Sequence, residues 1–169
     1  MKSCSFVAQS LTDTDRLGSV IAELLPPGTT VALCGPLGSG KTRLVQAIAA
    51  ACGVPRESVV SPTFVLCQEY QGRQTIYHLD AYRLQNSDEF LQLGPEEFFD
   101  SPALTLIEWA ERVADCLPAD RIEIQIAGPD DSRRTFELIA VGERYEAVLS
   151  AIEARLRDAA TESGQRPSS

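Results

Sequence analysis

Long apolar runs are absent from this sequence of 169 residues. No stretch approaches the roughly 18 consecutive apolar residues that a membrane-spanning helix requires, and residues 1–15 lack the apolar segment of a secretion signal. Among the five cysteines no two are spaced as Cys-x-x-Cys, which favours reduced thiols over a zinc site or a disulfide framework. These absences indicate a cytoplasmic protein that does not enter a membrane.

Positive charge is scarce as well. Lysine and arginine together number 15, against 24 aspartate and glutamate residues, and the formal net charge is −9. A large nucleic-acid surface needs clustered basic side chains that neutralise phosphates, so a self-sufficient contact with nucleic acid is not expected. Any action on a nucleic acid is therefore expected to go through a protein partner.

The length of the chain suits one domain with a sizeable core. We assign residues 1–158 to a single domain. Residues 159–169 are polar, and we predict that they form a disordered tail.

Apolar periodicity predicts helices and strands in mixed order. Residues 30–34 (TVALC) and 104–108 (LTLIE) are typical of buried strands, and residues 12–15 offer caps for the first helix. Turn residues predict two hairpins, and the helical period recurs in three later segments. The hairpins are expected over residues 64–80 and 121–141, and these later helices over residues 41–52, 109–117 and 142–160. Strands of both hairpin and crossover type together predict an α/β domain with a mixed central sheet.

A glycine-rich segment, GPLGSGKT at residues 35–42, follows the strand TVALC and precedes a helix. It matches the phosphate-loop pattern G-x-x-x-x-G-K-[ST]. In such a loop the backbone N–H groups of the glycines and their neighbours turn inward around an anion, which the helix N-terminus also favours. The residues concerned are Gly35, Gly38, Ser39 and Gly40. The strand–loop–helix context predicts a three-layer domain of the P-loop NTPase type.

The last two residues of the segment carry its chemistry. Lys41 is expected to neutralise the outer phosphates of a nucleotide, and the hydroxyl of Thr42 to ligate Mg²⁺. Only one other lysine, Lys2, occurs among the 15 basic residues, so a lysine in this position is hard to assign to surface solubility. The segment therefore predicts a nucleotide site.

Two acidic residues end predicted strands, Asp80 after TIYHL and Glu108 after LTLI. Carboxyl ends of parallel strands lie at the sheet edge where a phosphate loop also opens, so both carboxylates are candidates for Mg²⁺ binding and for orienting water. The alternative is that each acid only caps the following helix. The residues leave open which carboxylate ligates the metal directly, although the more apolar strand before Glu108 favours Glu108.

The chain has one histidine, His78, and one tryptophan, Trp109. His78 shares a strand face with Asp80, so it is a candidate general base or, in the favoured interpretation, a hydrogen-bonded support. Trp109 follows Glu108 and is expected either to wall the site or, in the favoured interpretation, to pack beneath it.

Four motifs in order resemble the bacterial TsaE (YjeE) family, whose members are the ATPase component of threonylcarbamoyladenosine (t6A) modification of tRNA. They are GPLGSGKT, SPTF at residues 61–64, HLDAYRL at 78–84 and IEW at 107–109. The resemblance covers roughly residues 11–149. A phosphate loop alone is shared by many NTPases, whereas the four motifs together are specific.

The resemblance implies roles for individual residues. Residues 38–42 match the ATP-binding loop, Thr42 and Glu108 match magnesium positions, and Asp80 matches a carboxylate needed for hydrolysis. Thr63 lies in a segment that resembles a nucleotide-sensing switch. Leu11 matches a position beside the nucleotide and Arg133 a second one, although SRR stands here in place of the family's usual Gly-Arg.

The function implied is a Mg²⁺-dependent ATPase that resets a tRNA-modifying complex together with TsaB- and TsaD-like proteins, with tRNA contacted only indirectly. The alternative is a small-molecule kinase, although arginines for a lid over the phosphates are scattered along the chain. A GTP switch is excluded because the sole asparagine, Asn86, is followed by serine and not by the lysine of an N-K-x-D motif.

Overall fold

The computed structural model of the protein describes residues 1–64, 66–130 and 132–163. Within these ranges there are seven strands, five α-helices and two short 3-10 helices. The strands are β1 (Lys2–Ala8), β2 (Thr30–Cys34), β3 (Cys67–Gln71), β4 (Thr75–Asp80), β5 (Leu104–Glu108), β6 (Arg121–Asp130) and β7 (Arg133–Val141). The helices are α1 (Leu11–Leu24), α2 (Lys41–Ala51), α3 (Ser87–Leu91), α4 (Pro95–Phe99) and α5 (Glu146–Ser163), and the 3-10 helices are Arg56–Ser58 and Ala110–Cys116.

The strands form one sheet in the order β1-β7-β6-β2-β5-β4-β3. β6, β2, β5 and β4 run parallel to one another, whereas β1, β7 and β3 pair antiparallel with their neighbours. The predicted α/β fold with a mixed central sheet is confirmed. Because β2, β4 and β5 are parallel, their carboxyl ends meet at one edge, where Asp80 lies opposite Glu108.

Helices cover both faces of the sheet. α1, α2 and α5 contribute to the larger apolar core on one face, together with residues such as Leu33 and Leu106. α3, α4 and the 3-10 helix Ala110–Cys116 pack on the other face around Leu79 and Ile107. Every residue of β2 and β5 is buried, as the continuous apolar runs of these strands predict. The predicted three-layer arrangement is therefore present.

Several local features differ from the sequence-based expectation. α1 is capped by Ser10, whose hydroxyl accepts a hydrogen bond from the Asp13 amide at 3.2 Å, and not by a residue of 12–15. The segment expected as an α-helix over residues 109–117 is a 3-10 helix interrupted at Val113, where φ is −128°.

The third difference is at the C-terminus. α5 continues to Ser163, five residues beyond the predicted domain boundary at residue 158, so the first part of the predicted disordered tail is helical. The rest of that tail, residues 164–169, lies outside the described residues. Among the described helices, none combines the length and apolar character needed to cross a bilayer.

Gly18 sets the distance between α1 and α2. A Cβ at this position would lie 2.5 Å from the Cβ of Ala47 and 2.9 Å from the backbone nitrogen of Ile48. We expect Gly18→Ala to lower the free energy of unfolding by about 1–2 kcal/mol, because the cost of overpacking exceeds the gain in helix propensity. Urea unfolding followed by circular dichroism measures this, with Ser19→Ala on the exposed side of α1 as the control. A Gly18→Ala protein as stable as the wild type would contradict the expectation.

Candidate functional site

The glycine-rich loop connects the buried strand β2 to the start of α2. Gly38 and Gly40 adopt φ values of 75° and 105°, a left-handed region that glycine enters without strain. A Cβ at either position would meet nothing within 4 Å, so these two glycines are required by backbone conformation and leave the space above the loop open. Gly35 differs, because a Cβ there would lie 2.5 Å from the carbonyl oxygen of Ile126 on β6.

Lys41, the first residue of α2, lies folded into this loop with only 5% of its surface exposed. Its ammonium donates hydrogen bonds to the carbonyl oxygens of Gly35 at 2.6 Å and Pro36 at 3.0 Å. Burial lowers the pKa of Lys41, and the nearby carboxylates of Glu108 and Glu111 oppose that effect. A cation is thus held among carbonyl oxygens where a phosphate loop would present it to an anion.

Trp109 packs over the ammonium of Lys41, with Nζ 3.7 Å from the centroid of the indole ring. Its φ of 57° is unusual for a bulky residue and turns the chain directly after Glu108. The ring also packs against Tyr82 at a centroid distance of 4.9 Å. Trp109 lines the cavity that contains Lys41 and also packs against the apolar cluster around Leu79 and Ile107, so it does both.

Glu108 and Thr42 are in direct contact. The Thr42 hydroxyl lies 2.9 Å from each carboxylate oxygen of Glu108, and it donates to that carboxylate. The contact joins the start of α2 to the end of β5, elements that are 66 residues apart at these positions. Glu108 is only 3% exposed. A hydroxyl and a carboxylate are hard oxygen ligands of the kind that Mg²⁺ prefers.

Asp80 lies beside Glu108 but has different partners. Its Oδ2 accepts hydrogen bonds from the hydroxyls of Ser61 and Thr63, the latter at 3.0 Å, and its Oδ1 accepts from the backbone N–H of Tyr82 at 2.8 Å. The SPTF motif thus contacts the HLDAYRL motif through this carboxylate. Thr63 therefore belongs to the site through its hydrogen bond to Asp80.

His78 supports the site from below. Its ring is fully buried, with Nε2 2.7 Å from Oε1 of Glu108 and Nδ1 3.1 Å from the hydroxyl of Tyr70. Both ring nitrogens are therefore occupied within the protein. This agrees with the favoured hydrogen-bonded role, and the carboxylate it supports is that of Glu108.

Two adjoining cavities lie over the loop. The larger, about 400 Å³, is lined by residues that include Lys41, Thr42, Asp80, Glu108 and Thr63. Gly38, Ser39 and Gly40 also line it. The structure thus brings together most of the predicted site residues at the carboxyl edge of β2, β4 and β5.

The second cavity, about 300 Å³, shares Gly40 and Arg43 with the first. Leu11 and Arg134 both line it, whereas Arg133 is not among its described lining residues. Arg134 also donates to the carbonyl oxygen of Gly38 at 3.4 Å. Arg133 and Arg134 are adjacent on β7, and adjacent residues of a strand point to opposite faces of the sheet.

The described residues contain no group of three or more His, Cys, Asp or Glu side chains that could hold a metal ion by themselves. Mg²⁺ is commonly held by one or two protein oxygens together with substrate phosphates, so such a cage is not required. The Thr42–Glu108 pair beside the loop fits this donor set.

Comparisons with known proteins identify the family of this chain. The family model described as "Threonylcarbamoyl adenosine biosynthesis protein TsaE" matches residues 8–136. A tRNA threonylcarbamoyladenosine biosynthesis protein TsaE of Treponema pallidum is 40% identical over 128 residues, which are 76% of this chain and 94% of that protein. The protein of the same name from Bacillus subtilis is 35% identical over 153 residues, 90% of this chain and 95% of its own. The crystal structure of YdiB from Bacillus subtilis has a TM-score of 0.76 at 28% identity and covers 90% of this chain and 95% of that one. The chain therefore belongs to the TsaE family.

Proposed function

We propose that this protein is a Mg²⁺-dependent ATPase that acts with protein partners in the threonylcarbamoyladenosine modification of tRNA, and that ATP binding and hydrolysis reset the modifying complex. Membership of the TsaE family supports the pathway. The observation that carries the ATPase proposal is the contact between Thr42 and both oxygens of Glu108 at 2.9 Å, directly beside the glycine-rich loop.

In this proposal the loop binds the phosphates. Gly38, Ser39 and Gly40 line the open cavity, and Lys41 exchanges the carbonyl oxygens of its own loop for phosphate oxygens. Thr42 and Glu108 hold Mg²⁺, which when bound neutralises charge on the phosphate oxygens.

Asp80 is proposed to orient the attacking water. Both of its oxygens already accept hydrogen bonds from Ser61, Thr63 and the Tyr82 amide, so its orientation is fixed before a substrate arrives. Ser61 and Thr63 are half-buried, but they lie between the exposed side chains of Val60 and Phe64, so a change at that surface would alter the position of Asp80. This gives hydrolysis a connection to the protein surface that a partner could use.

Adenosine is proposed to occupy the second cavity, where Leu11 supplies an apolar wall and Arg134 a cation. We expect Arg134→Ala to weaken ATP binding by about tenfold, which is the loss of one charge-assisted contact. Arg133→Ala, on the adjacent residue of β7, is expected to have a smaller effect. Calorimetric titration with ATP compares the two proteins. A larger loss in Arg133→Ala would return the role to the position that the family resemblance implies.

Phosphate release tests the function as a whole. The purified chain is incubated with Mg-ATP alone and with TsaB- and TsaD-like proteins. Slow release that the partners accelerate is the expected result. With γ-labelled ATP, transfer of the label to a metabolite would instead favour a small-molecule kinase. If calorimetry showed that the folded protein binds no nucleotide, both the ATPase and the kinase would be contradicted.

A further inference from the structure

A hydrogen-bonded network of buried polar side chains leads from β3 to the carboxylate of Glu108. The Tyr70 hydroxyl lies 3.1 Å from Nδ1 of His78, and Nε2 of His78 lies 2.7 Å from Oε1 of Glu108. Thr42 donates to the same carboxylate from its other side. Tyr70 is 6% exposed, so this network lies almost entirely inside the protein.

The partners determine where the protons lie. A carboxylate only accepts hydrogen bonds, so Nε2 of His78 carries a proton and donates it to Glu108. In a neutral imidazole Nδ1 is then the acceptor, and the Tyr70 hydroxyl donates to it. Burial raises the pKa of Tyr70, which keeps the phenol protonated and able to donate. The carbonyl oxygen of Val60, at 3.4 Å, is the more distant acceptor for the same hydroxyl.

The side chains that surround this hydrogen-bonded network are apolar. Ile76, Leu104 and Leu106 lie on the same sheet face, and all three are fully buried. A polar group among such neighbours is costly unless its hydrogen bonds are made, so the ring of His78 has one favourable orientation, with Tyr70 at one nitrogen and Glu108 at the other. The orientation of Glu108 is then set by two donors, His78 and Thr42.

We propose that Tyr70 and His78 are positioning residues, which hold the Glu108 carboxylate against Thr42 in the orientation needed for metal binding. Tyr70 acts on Glu108 only through His78. The proposal rests on the proposed function for its metal, but the hydrogen-bonded link itself does not depend on nucleotide. Groups that orient a ligating carboxylate commonly change metal affinity by about 10–100-fold when removed.

Nuclear magnetic resonance can observe the link directly, because His78 is the only histidine. Untagged protein labelled with nitrogen-15 histidine gives a single imidazole spin system. Tyr70→Phe keeps the packed ring and removes the hydroxyl, so we expect a changed Nδ1 resonance and a retained Nε2–H. Tyr77→Phe is the matched control, since Tyr77 lies on β4 of the same hairpin but packs against Phe98 on the other face of the sheet. That variant is expected to leave the imidazole spectrum unchanged.

Metal dependence tests the consequence. Binding of a fluorescent ATP analogue is titrated with Mg²⁺ for the wild type, Tyr70→Phe and Tyr77→Phe. For Tyr70→Phe we expect a rise of about tenfold in the Mg²⁺ concentration that gives half of the maximal increase in nucleotide binding. Nucleotide binding in EDTA should stay the same. Tyr77→Phe should match the wild type in both. His78→Gln, if it folds, should also raise this Mg²⁺ concentration. Adding Tyr70→Phe to His78→Gln should cause no further rise, because Tyr70 acts through His78.

Two results would overturn the proposal. One is an imidazole spectrum of Tyr70→Phe that is identical to the wild type, and the other is an unchanged Mg²⁺ midpoint. Wild-type protein without any Mg²⁺-dependent nucleotide binding would be a different failure, because it would contradict the proposed ATPase while the spectrum still decides whether Tyr70 orients His78.

Discussion

Lys41→Met is expected to reduce ATP affinity at least tenfold and to abolish measurable hydrolysis. The ammonium of Lys41 lies among carbonyl oxygens of the glycine-rich loop, with nearly all of the residue's surface buried. Charge-assisted hydrogen bonds of this kind contribute about 1.5–3 kcal/mol each, and 1.4 kcal/mol corresponds to tenfold in affinity. The loss of hydrolysis should be larger, about 100-fold or more, because negative charge develops on the leaving phosphate oxygen in the transition state and would then lack its cation.

The choice of methionine separates charge from packing. Its side chain retains the length needed to fill the space beside Trp109, so the fold is expected to persist. Lys2→Met is the matched control, since Lys2 is the only other lysine and forms a surface ion pair with Glu153 at 3.6 Å. Calorimetry and phosphate release measure both variants. ATP affinity within threefold of the wild type in Lys41→Met would remove the lysine from phosphate binding.

The fold was largely predictable because its strongest signals are local. TVALC and LTLIE are continuous apolar runs, and both form central strands in which every residue is buried. Turn residues located both hairpins. The 3-10 helix Ala110–Cys116 was not predictable as such, because its helical period is interrupted only by the backbone of Val113.

The candidate site was likewise only partly predictable from the sequence. The glycine-rich loop, Asp80 and Glu108 were found because each has a signature in a short segment. The contact of Glu108 with Thr42 and His78 depends on the order of the strands, which places β5 between β2 and β4. No local pattern contains that information.

The roles proposed for Arg134 and Tyr70 had no sequence signal, for related reasons. Arg134 differs from Arg133 only in the direction of its side chain from β7, and this direction is fixed by pairing with β1 and β6. Tyr70 looked like an ordinary strand residue. Its hydroxyl gains a role only because β3 pairs with β4 in a register that brings it beside His78.

The second large effect is expected at the two carboxylates, where the variants should fail in different ways. Glu108→Gln removes the charge beside Thr42, so Mg²⁺ should no longer strengthen ATP binding, whereas binding in EDTA should persist. Asp80→Asn leaves the Thr42–Glu108 pair in place, so Mg²⁺ should still strengthen binding while hydrolysis falls about 100-fold or more. Calorimetry with and without Mg²⁺, followed by phosphate release, distinguishes the two.

This comparison decides which carboxylate meets the metal, a question that the amino-acid sequence left open. Glu137→Gln on the exposed side of β7 controls for the loss of one negative charge, and it should leave binding and hydrolysis unchanged. If Asp80→Asn lost the effect of Mg²⁺ and Glu108→Gln kept it, the assignments would be reversed. Full turnover by either variant would exclude that carboxylate from the chemistry. Because the two residues are register partners on adjacent strands, both outcomes are compatible with the same fold, and only the metal dependence separates them.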